Sequence, residues 1–283
     1  MAEFPPRATP SSGVAAPLPP SGAALLGDSQ ALRAQLGKLG LHTIAERFEA
    51  EADQAAKSES SYTADLARLV AAELASKADR SVNARIARAR FPRLRTLEQF
   101  EFAFQPSLSA PRVRELFSLG FLEQAANVLL VGGPGVGKSH LAIALGLRVC
   151  QARRGVRFFH VPDLLDQLLA ADASHRLGTL LGELGRVDLL ILDELGYLPM
   201  DSRRANLFFQ LVAARYTKGS VVITTNAAFD RWGQVFGDDV IAAAILDRLL
   251  HYSHVFAING PSYRVKDKLS VGPAATGPTP EDA

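Results

Sequence analysis

The chain has 283 residues, of which 48% are hydrophobic and 21% are charged, and its formal net charge is +2. A chain of this size can bury one full-sized core and a small accessory domain. It contains no apolar run long enough to cross a membrane, and its N-terminus lacks the basic start and apolar core of a signal peptide, so we expect no membrane partner. The lone Cys150 cannot form an internal disulfide, which favours a reducing, cytoplasmic location.

The two ends of the chain differ in composition from the rest. Residues 1–28 and 269–283 are rich in Pro, Ser, Gly and Ala and poor in large apolar side chains. Segments of this kind bury too little apolar surface to offset the entropy of ordering. We therefore expect two disordered tails.

Residues 29–95 show helical periodicity and predict a small all-helical domain. A polar break, KSESSYT, separates two series of apolar residues. Ser61 is the predicted N-cap of the helix after the break, and Pro92 should end that helix near Phe91. The first series consists of Leu32, Leu36, Leu39, Ile44 and Phe48, and the second of Leu66, Val70, Leu74, Val82 and Ile86.

A strongly basic stretch closes this block. Residues 76–96, SKADRSVNARIARARFPRLRT, carry seven Lys or Arg and one Asp. Such a run is often the solvated face of a helix, but it is also typical of surfaces that bind a phosphate backbone. The composition of the run does not decide between the two interpretations.

A connector over residues 96–126 joins the helical block to the rest. Phe100, Phe102 and Phe104 alternate as in a half-buried extended segment. Ser109, just before Ala110 and Pro111, is the predicted cap of a short helix.

Residues 127–268 alternate short apolar runs with helical segments. This alternation predicts an α/β domain of three layers around a mostly parallel, five-stranded sheet. The predicted strands are NVLLVG, VRFFHV, VDLLILDE, SVVITTN and HVFAING, and the predicted helices cover about 138–153, 162–170, 202–217 and 238–250.

The segment GGPGVGKS matches the phosphate-binding P-loop pattern, and it lies between a predicted strand and a predicted helix. Its glycines let backbone N–H groups approach phosphate oxygens, and the following helix presents its positive end to the same anion. Lys138 should reach the β- and γ-phosphates of a nucleotide, and Ser139 should ligate Mg²⁺. The predicted nucleotide-binding residues are Gly132, Gly133, Pro134, Gly135, Val136, Gly137, Lys138, Ser139 and, without an assigned chemical role, His140.

Polar residues end the next predicted strands. Asp193 is assigned to the metal and Glu194 to the catalytic base, because carboxylates at the end of a buried strand can hold Mg²⁺ and polarise the attacking water. Asn226, at the end of VVITTN, could orient that water or contact the γ-phosphate, although a polar strand end is also a common turn former. Arg248 and Arg264 could each stabilise transferring phosphate or simply form surface ion pairs.

The chain resembles the IstB-like transposition helper ATPases of IS21-type insertion sequences, which belong to the AAA+ clade together with DnaC-type helicase loaders. The resemblance covers about 29–268. The segments that carry it are NVLLVGGPGVGKSHLAIALG, DLLILDELGYLP, ANLFFQLVAARY, VVITTN, WGQVFGDDVIAAAILDRLLHYSH and GPSYRVKDK.

The resemblance implies an ATPase that uses ATP and Mg²⁺, assembles as a homo-oligomer on duplex DNA, and recruits and stimulates a DDE transposase. It implies that Arg248 is an arginine finger for a neighbouring subunit's ATP. Arg264 and Asn226 match the family's two sensor residues, and the connector phenylalanines could lie near adenine or merely pack the domain junction.

With a DNA-remodelling ATPase as the leading interpretation, Arg80, Arg85, Arg88 and Arg90 become the predicted contacts to the DNA backbone. A DnaC-like replicative helicase loader is the alternative. A third interpretation, a nucleotide-gated switch with negligible hydrolysis, is disfavoured because Glu194, Asn226 and Arg248 are all present.

Overall fold

The computed structural model describes residues 29–58 and 60–265. Both predicted tails lie outside these residues. The chain divides into two compact units, one ending at Asp79 and the other beginning at Arg80. The division falls inside a helix, whereas the sequence places the end of the helical block at residue 95.

The N-terminal unit is helical, as predicted. Its elements are α1 (Ser29–Lys38), α2 (His42–Ser58) and the first part of α3 (Tyr62–Ala89). The buried carboxylate of Glu73 accepts hydrogen bonds from the backbone N–H groups of Thr43, at 2.7 Å, and Ile44, at 3.1 Å. These N–H groups have no partner within α2, so Glu73 on α3 caps its first turn.

Helix α3 begins where the sequence predicts and ends slightly earlier. The Ser61 hydroxyl accepts a hydrogen bond from the Ala64 N–H at 3.3 Å, as expected of an N-cap. The helix ends at Ala89, and Arg90 follows with a left-handed φ of 60°. The predicted apolar series is not a core face throughout, because Leu66 and Leu74 are 58% and 63% exposed.

The connector is not extended, which corrects the prediction made from the alternating phenylalanines. Phe102–Phe104 form a 3₁₀ turn, closed by the hydrogen bond from the Phe104 N–H to the Glu101 carbonyl at 3.1 Å. Phe100 is buried and packs edge to face on Phe102, with ring centroids 5.0 Å apart, so both rings join the apolar core without an extended backbone. Ser109 precedes a short helix, although its side chain makes no capping bond.

The C-terminal unit contains a sheet of five parallel strands in the order β2-β3-β4-β1-β5. The predicted α/β class is confirmed, and every strand pair is parallel. All five strands lie where apolar runs predict them. They are β1 (Asn127–Gly132), β2 (Val156–His160), β3 (Leu189–Leu195), β4 (Ser220–Thr225) and β5 (Ser253–Ile258).

Helices cover both faces of this sheet. Four of them match the segments predicted between residues 127 and 268, and a fifth is the short helix predicted after Ser109. The other three are short, and one of them contains three glycines that weaken a helical signal. Among the described residues, no helix is both long and apolar enough to cross a membrane. The helices are α4 (Ala110–Leu116), α5 (Gly120–Glu123), α6 (Lys138–Gln151), α7 (Val161–Ala173), α8 (Leu177–Gly185), α9 (Ser202–Arg215), α10 (Trp232–Phe236) and α11 (Asp239–Leu250).

The side chains of the sheet alternate between two apolar clusters. On β3, Leu190 and Leu192 join a cluster with α7, α9, α10 and α11, while Leu189 and Ile191 join a cluster with α6 and the connector. Because successive side chains of a strand point to opposite faces, these clusters are the two halves of a three-layer core.

Arg215, at the end of α9, is a buried cation that ties β3 and β4 to α8. Its guanidinium donates to the carbonyls of Leu184, Val187 and Ser220, at 2.5, 3.0 and 2.8 Å. Burial lowers the pKa of Arg215 to about 10, partly opposed by Asp188. The group therefore remains charged at neutral pH and donates hydrogen bonds to three backbone carbonyls.

We predict that Arg215→Ala lowers the free energy of unfolding by about 3 kcal/mol, because buried carbonyls lose their donor. The measurement is the urea midpoint of the full chain. Lys218→Ala, an exposed neighbour, is the control and should change stability by less than about 0.5 kcal/mol. Equal midpoints for the two variants would contradict the structural role of Arg215.

Candidate nucleotide-binding site

The P-loop joins β1 to α6, and its glycines adopt conformations that other residues rarely take. Gly135 and Gly137 have φ values of 78° and 101°. A Cβ on Gly137 would lie 2.5 Å from the Phe100 ring, and one on Gly135 would overlap the Ser262 hydroxyl. Phe100 and Ser262 therefore pack against the loop on two sides. This packing supports a loop conformation suited to binding a phosphate through backbone N–H groups.

Lys138 lies inside the loop. Its Nζ donates to the carbonyls of Gly132 and Gly133, both at 2.7 Å. Burial lowers the pKa of Lys138, and the negative charge of Asp193 partly opposes this effect. A phosphate brought to the loop would add negative charge beside the ammonium group and favour its protonated form.

Asp193 is the centre of a network of hydroxyl groups. Only 2% of the residue is exposed. Its Oδ1 accepts hydrogen bonds from the hydroxyls of Ser139, at 2.8 Å, and Thr224, at 2.5 Å. The network thus joins the end of β3 to the first turn of α6 and to β4.

Glu194 occupies a bulge at the end of β3. The register with β4 shifts between Leu192 and Leu195, and Glu194 has a φ of 66°. Its N–H donates to the Thr224 hydroxyl at 2.9 Å. A bulge redirects the side chain of the extra residue, so Asp193 is buried while the neighbouring carboxylate of Glu194 is 45% exposed.

These elements surround a cavity of about 210 Å³. The P-loop lines one side, and Glu194, Asn226 and Arg264 lie around the rest. Asp193 reaches the cavity edge through Ser139. The structure therefore brings together the residues predicted to bind phosphate, hold a metal and position water.

Arg248 is the predicted site residue that lies elsewhere. Its guanidinium is 4.7 Å from the centre of the Phe209 ring and donates to the Ala244 carbonyl at 2.8 Å. It borders a separate small cleft beside Arg215 and Tyr216. It does not line the P-loop cavity of its own chain.

The basic stretch divides between two environments. Arg80, Arg88 and Arg90 are exposed, whereas Arg85 is half-buried and donates to the Ser81 carbonyl at 3.1 Å. None of these four lines the nucleotide cavity, but Arg93 and Arg95 do. The predicted DNA contacts stop at Arg90, and sequence reasoning missed the two cavity-lining arginines after Pro92 because no motif marks them.

The connector supplies much of the remaining wall. The His140 ring shares a hydrogen bond with the Thr96 carbonyl, with 2.8 Å between Nε2 and the oxygen, and burial lowers the pKa of His140. His140 also meets the Phe100 ring edge to face at 5.4 Å. Sequence reasoning left Phe100 unassigned, and the other connector residues in the wall gave no signal. They are Gln99, Glu101 and Gln105.

A segment after β5 closes the cavity. The Tyr263 N–H donates to the Gly135 carbonyl and its hydroxyl donates to Glu101 Oε1, both at 2.9 Å. Gln105 Nε2 donates to the Pro261 carbonyl at 3.0 Å. These bonds position the neighbouring Arg264 on the cavity wall.

The match to known proteins agrees with this geometry. A family model described as "IstB-like ATP binding protein" matches residues 34–271. The chain belongs to this family. The IS21 putative ATP-binding protein of Pseudomonas aeruginosa is 43% identical to it over 249 residues, which are 88% of this chain and 94% of the relative. The IS5376 putative ATP-binding protein of Geobacillus stearothermophilus is 39% identical over 231 residues, 82% of this chain and 92% of the relative.

A solved structure shares the fold of this IstB-like protein. It is the replication initiator DnaA, bound to AMPPCP and single-stranded DNA. The match has a TM-score of 0.50 and 19% identity, and it covers 62% of this chain and 54% of DnaA. At this level of identity the likeness extends to the fold alone.

We predict that Gly137→Ala weakens ATP binding at least tenfold. A side chain at this φ costs about 1–2 kcal/mol, and the new methyl group would displace Phe100. The measurement is titration with a fluorescent ATP analogue.

The matched control is Gly178→Ala on α8, where an added Cβ meets no atom within 4 Å. It should bind the analogue as the unchanged protein does. Wild-type affinity in the Gly137 variant would show that the loop does not need this conformation.

Proposed function

We propose that this IstB-like protein is an ATP-dependent helper of DNA transposition. It assembles on duplex target DNA, hydrolyses ATP, and recruits and stimulates a partner DDE transposase in the cytoplasm. The observation that carries the proposal is the hydrogen bond from Ser139 to Asp193 at 2.8 Å, with Glu194 directly beside it on the cavity. Membership of a family of insertion-sequence ATP-binding proteins supports the link to transposition.

The residues present fit a Mg²⁺ ion. Mg²⁺ prefers oxygen ligands and is commonly held by one or two protein groups together with substrate phosphates. Ser139 Oγ and Asp193 Oδ1 offer such oxygens next to the P-loop. Ser139 and Asp193 would hold the ion, which would supply positive charge beside the transferring phosphate.

The other side chains supply positioning and proton transfer. Lys138 exchanges its two carbonyl partners for the β- and γ-phosphates, and Arg264 adds a second positive charge from the cavity wall. The half-exposed carboxylate of Glu194 accepts a proton from the attacking water. Asn226, at the end of β4, orients that water.

Arg248 acts on the ATP of a neighbouring subunit. It lies outside its own nucleotide cavity, on α11, so only a second copy can present it to a phosphate. Hydrolysis therefore requires a homo-oligomer, and the nucleotide site is complete only at a subunit interface.

DNA binds along the arginine-rich part of α3 and the residue after it. Arg80, Arg88 and Arg90 are exposed there. Arg85 is half-buried and would have to leave its bonds to Ser81. Phosphate contacts of this kind give affinity that depends on salt and little on sequence.

A test of the site mixes two inactive variants. Glu194→Gln should bind ATP but turn it over about a hundredfold more slowly, and Arg248→Ala should also bind ATP without hydrolysing it. Mixed oligomers contain interfaces in which an intact Glu194 faces an intact Arg248. We expect the mixture to recover hydrolysis, measured as phosphate release with duplex DNA present.

The matched control mixes each variant with the double variant Glu194→Gln/Arg248→Ala, which cannot form an intact interface. No recovery in the informative mixture would refute action in trans. Negligible hydrolysis by the unchanged protein, despite ATP-dependent assembly, would favour a nucleotide-gated switch.

A second test measures the DNA surface. Anisotropy of a labelled duplex of roughly 50 base pairs should show ATP-dependent binding that weakens with salt, and Lys138→Ala should lose it. Arg88→Ala should make the slope of log affinity against log salt shallower by about one unit for each contacting subunit. Arg186→Ala, an exposed arginine after α8, should leave the slope unchanged.

Recruitment is tested on the same duplex by co-sedimentation of a candidate partner DDE transposase, with Glu194→Gln holding the ATP-bound assembly. Absence of duplex binding with any nucleotide would reject the transposition role and favour a helicase loader.

A further inference from the structure

A histidine and two carboxylates meet at the ends of β2 and β3. His160 Nδ1 lies 3.7 Å from Asp193 Oδ2 and 3.8 Å from Glu194 Oε2. One donor atom from each residue lies within 4.8 Å of the other two. The strand register pairs His160 with Asp193, so the parallel ladder itself fixes this arrangement.

The imidazole nitrogen in this cluster lacks a partner. Within the described part of the chain, His160 Nδ1 is buried and makes no hydrogen bond. Buried polar atoms are nearly always paired, and an unpaired one indicates a water or an ion. The two hydrogen bonds that hold Asp193 are both accepted by Oδ1, so Oδ2 is the oxygen that faces His160.

The donor set favours a transition metal. Imidazole nitrogen suits Zn²⁺ and its neighbours in the first transition row, whereas Mg²⁺ prefers oxygen alone. Metal–ligand bonds of about 2.0–2.2 Å in a tetrahedron separate the ligand atoms by about 3.4 Å. The two separations from His160 Nδ1, 3.7 and 3.8 Å, need to close by only a few tenths of an ångström, and the two carboxylate oxygens lie within 4.8 Å of each other.

We propose that His160, Asp193 and Glu194 bind a transition-metal ion of the Zn²⁺ class, with water as a fourth ligand. This site differs from the Mg²⁺ position at Ser139, because it uses the opposite oxygen of Asp193 and the carboxylate of Glu194. An ion bound there occupies the carboxylate that would activate water, so it inhibits ATP hydrolysis. That inhibition rests on the proposed ATPase function, whereas the binding itself does not.

The binding test uses the full chain without nucleotide. Zn²⁺ is titrated in competition with a chromophoric chelator, and Co²⁺ is titrated while its visible absorption is recorded. Loss of a direct ligand should weaken binding by more than the roughly 10–100-fold that loss of an outer partner costs. We expect this loss in His160→Ala and in His160→Gln, which keeps a polar side chain of similar size.

The control is His175→Ala, which removes an exposed histidine outside the cluster. It should keep the affinity and the Co²⁺ spectrum of the unchanged protein. Equal Zn²⁺ affinity in the wild type and both His160 variants would overturn the proposal. Absence of chelator-competitive binding by the wild type would also overturn it, and would leave water as the partner of Nδ1.

A second measurement separates this site from the ATPase proposal. At fixed Mg²⁺ and ATP, added Zn²⁺ should slow phosphate release by the unchanged protein at concentrations that saturate the site. If Zn²⁺ binds through His160 but the protein never hydrolyses ATP, the ATPase proposal fails and the metal site stands. If hydrolysis proceeds and no Zn²⁺ binds, the metal site fails alone.

Discussion

The carboxylate of Asp193 is the group on which the rest of the site depends. It is almost wholly buried, and an isolated buried carboxylate is costly unless hydrogen bonds satisfy it. Ser139 and Thr224 supply those bonds at Oδ1. Because Ser139 lies in the first turn of α6 and Thr224 lies near the end of β4, one carboxylate sets the distance between the phosphate loop and two strands. The Thr224 hydroxyl also accepts a hydrogen bond from the Glu194 N–H. The same hydroxyl therefore contacts both the buried Asp193 and the backbone of the exposed Glu194.

A second constraint comes from segments that are distant in sequence. All five strands lie between the connector and the segment after β5 in the sequence. Even so, Tyr263 donates a hydrogen bond to Glu101, and Gln105 donates one to the Pro261 carbonyl. Tyr263 in turn bonds Gly135. The cavity is therefore closed by contacts among three separate segments, and the P-loop conformation is supported from outside as well as by its own glycines.

Sequence patterns predicted the parts of the molecule that follow local physical rules. Buried parallel strands appear in the sequence as continuous apolar runs, and the spacing of glycines in the P-loop is restricted enough to be recognised as a motif.

The patterns failed where tertiary contacts decide the structure. Phe100, Phe102 and Phe104 alternate like a strand, but packing against the P-loop and Phe102 favours a 3₁₀ turn. Leu66 and Leu74 have the helical spacing of a buried face, yet both are exposed. Periodicity identifies an apolar face but does not show whether another element packs on it. His160 gave no signal because its importance depends on strand register.

The basic stretch over residues 76–96 contributes arginines both to the exposed surface of α3 and to the nucleotide cavity. Arg93 and Arg95 follow Pro92 and line the nucleotide cavity, so they cannot be assigned to DNA with the arginines of α3. The segment 91–96 contacts the core at both ends: the Phe91 and Phe158 rings pack with their centroids 6.3 Å apart, and the Thr96 carbonyl shares a hydrogen bond with His140, directly after the P-loop serine. Under the proposed function, the arginines that touch DNA are thus only a few residues from those that border ATP. A change in the position of this segment on nucleotide binding would move the end of α3. The short segment alone would then couple nucleotide binding to DNA affinity.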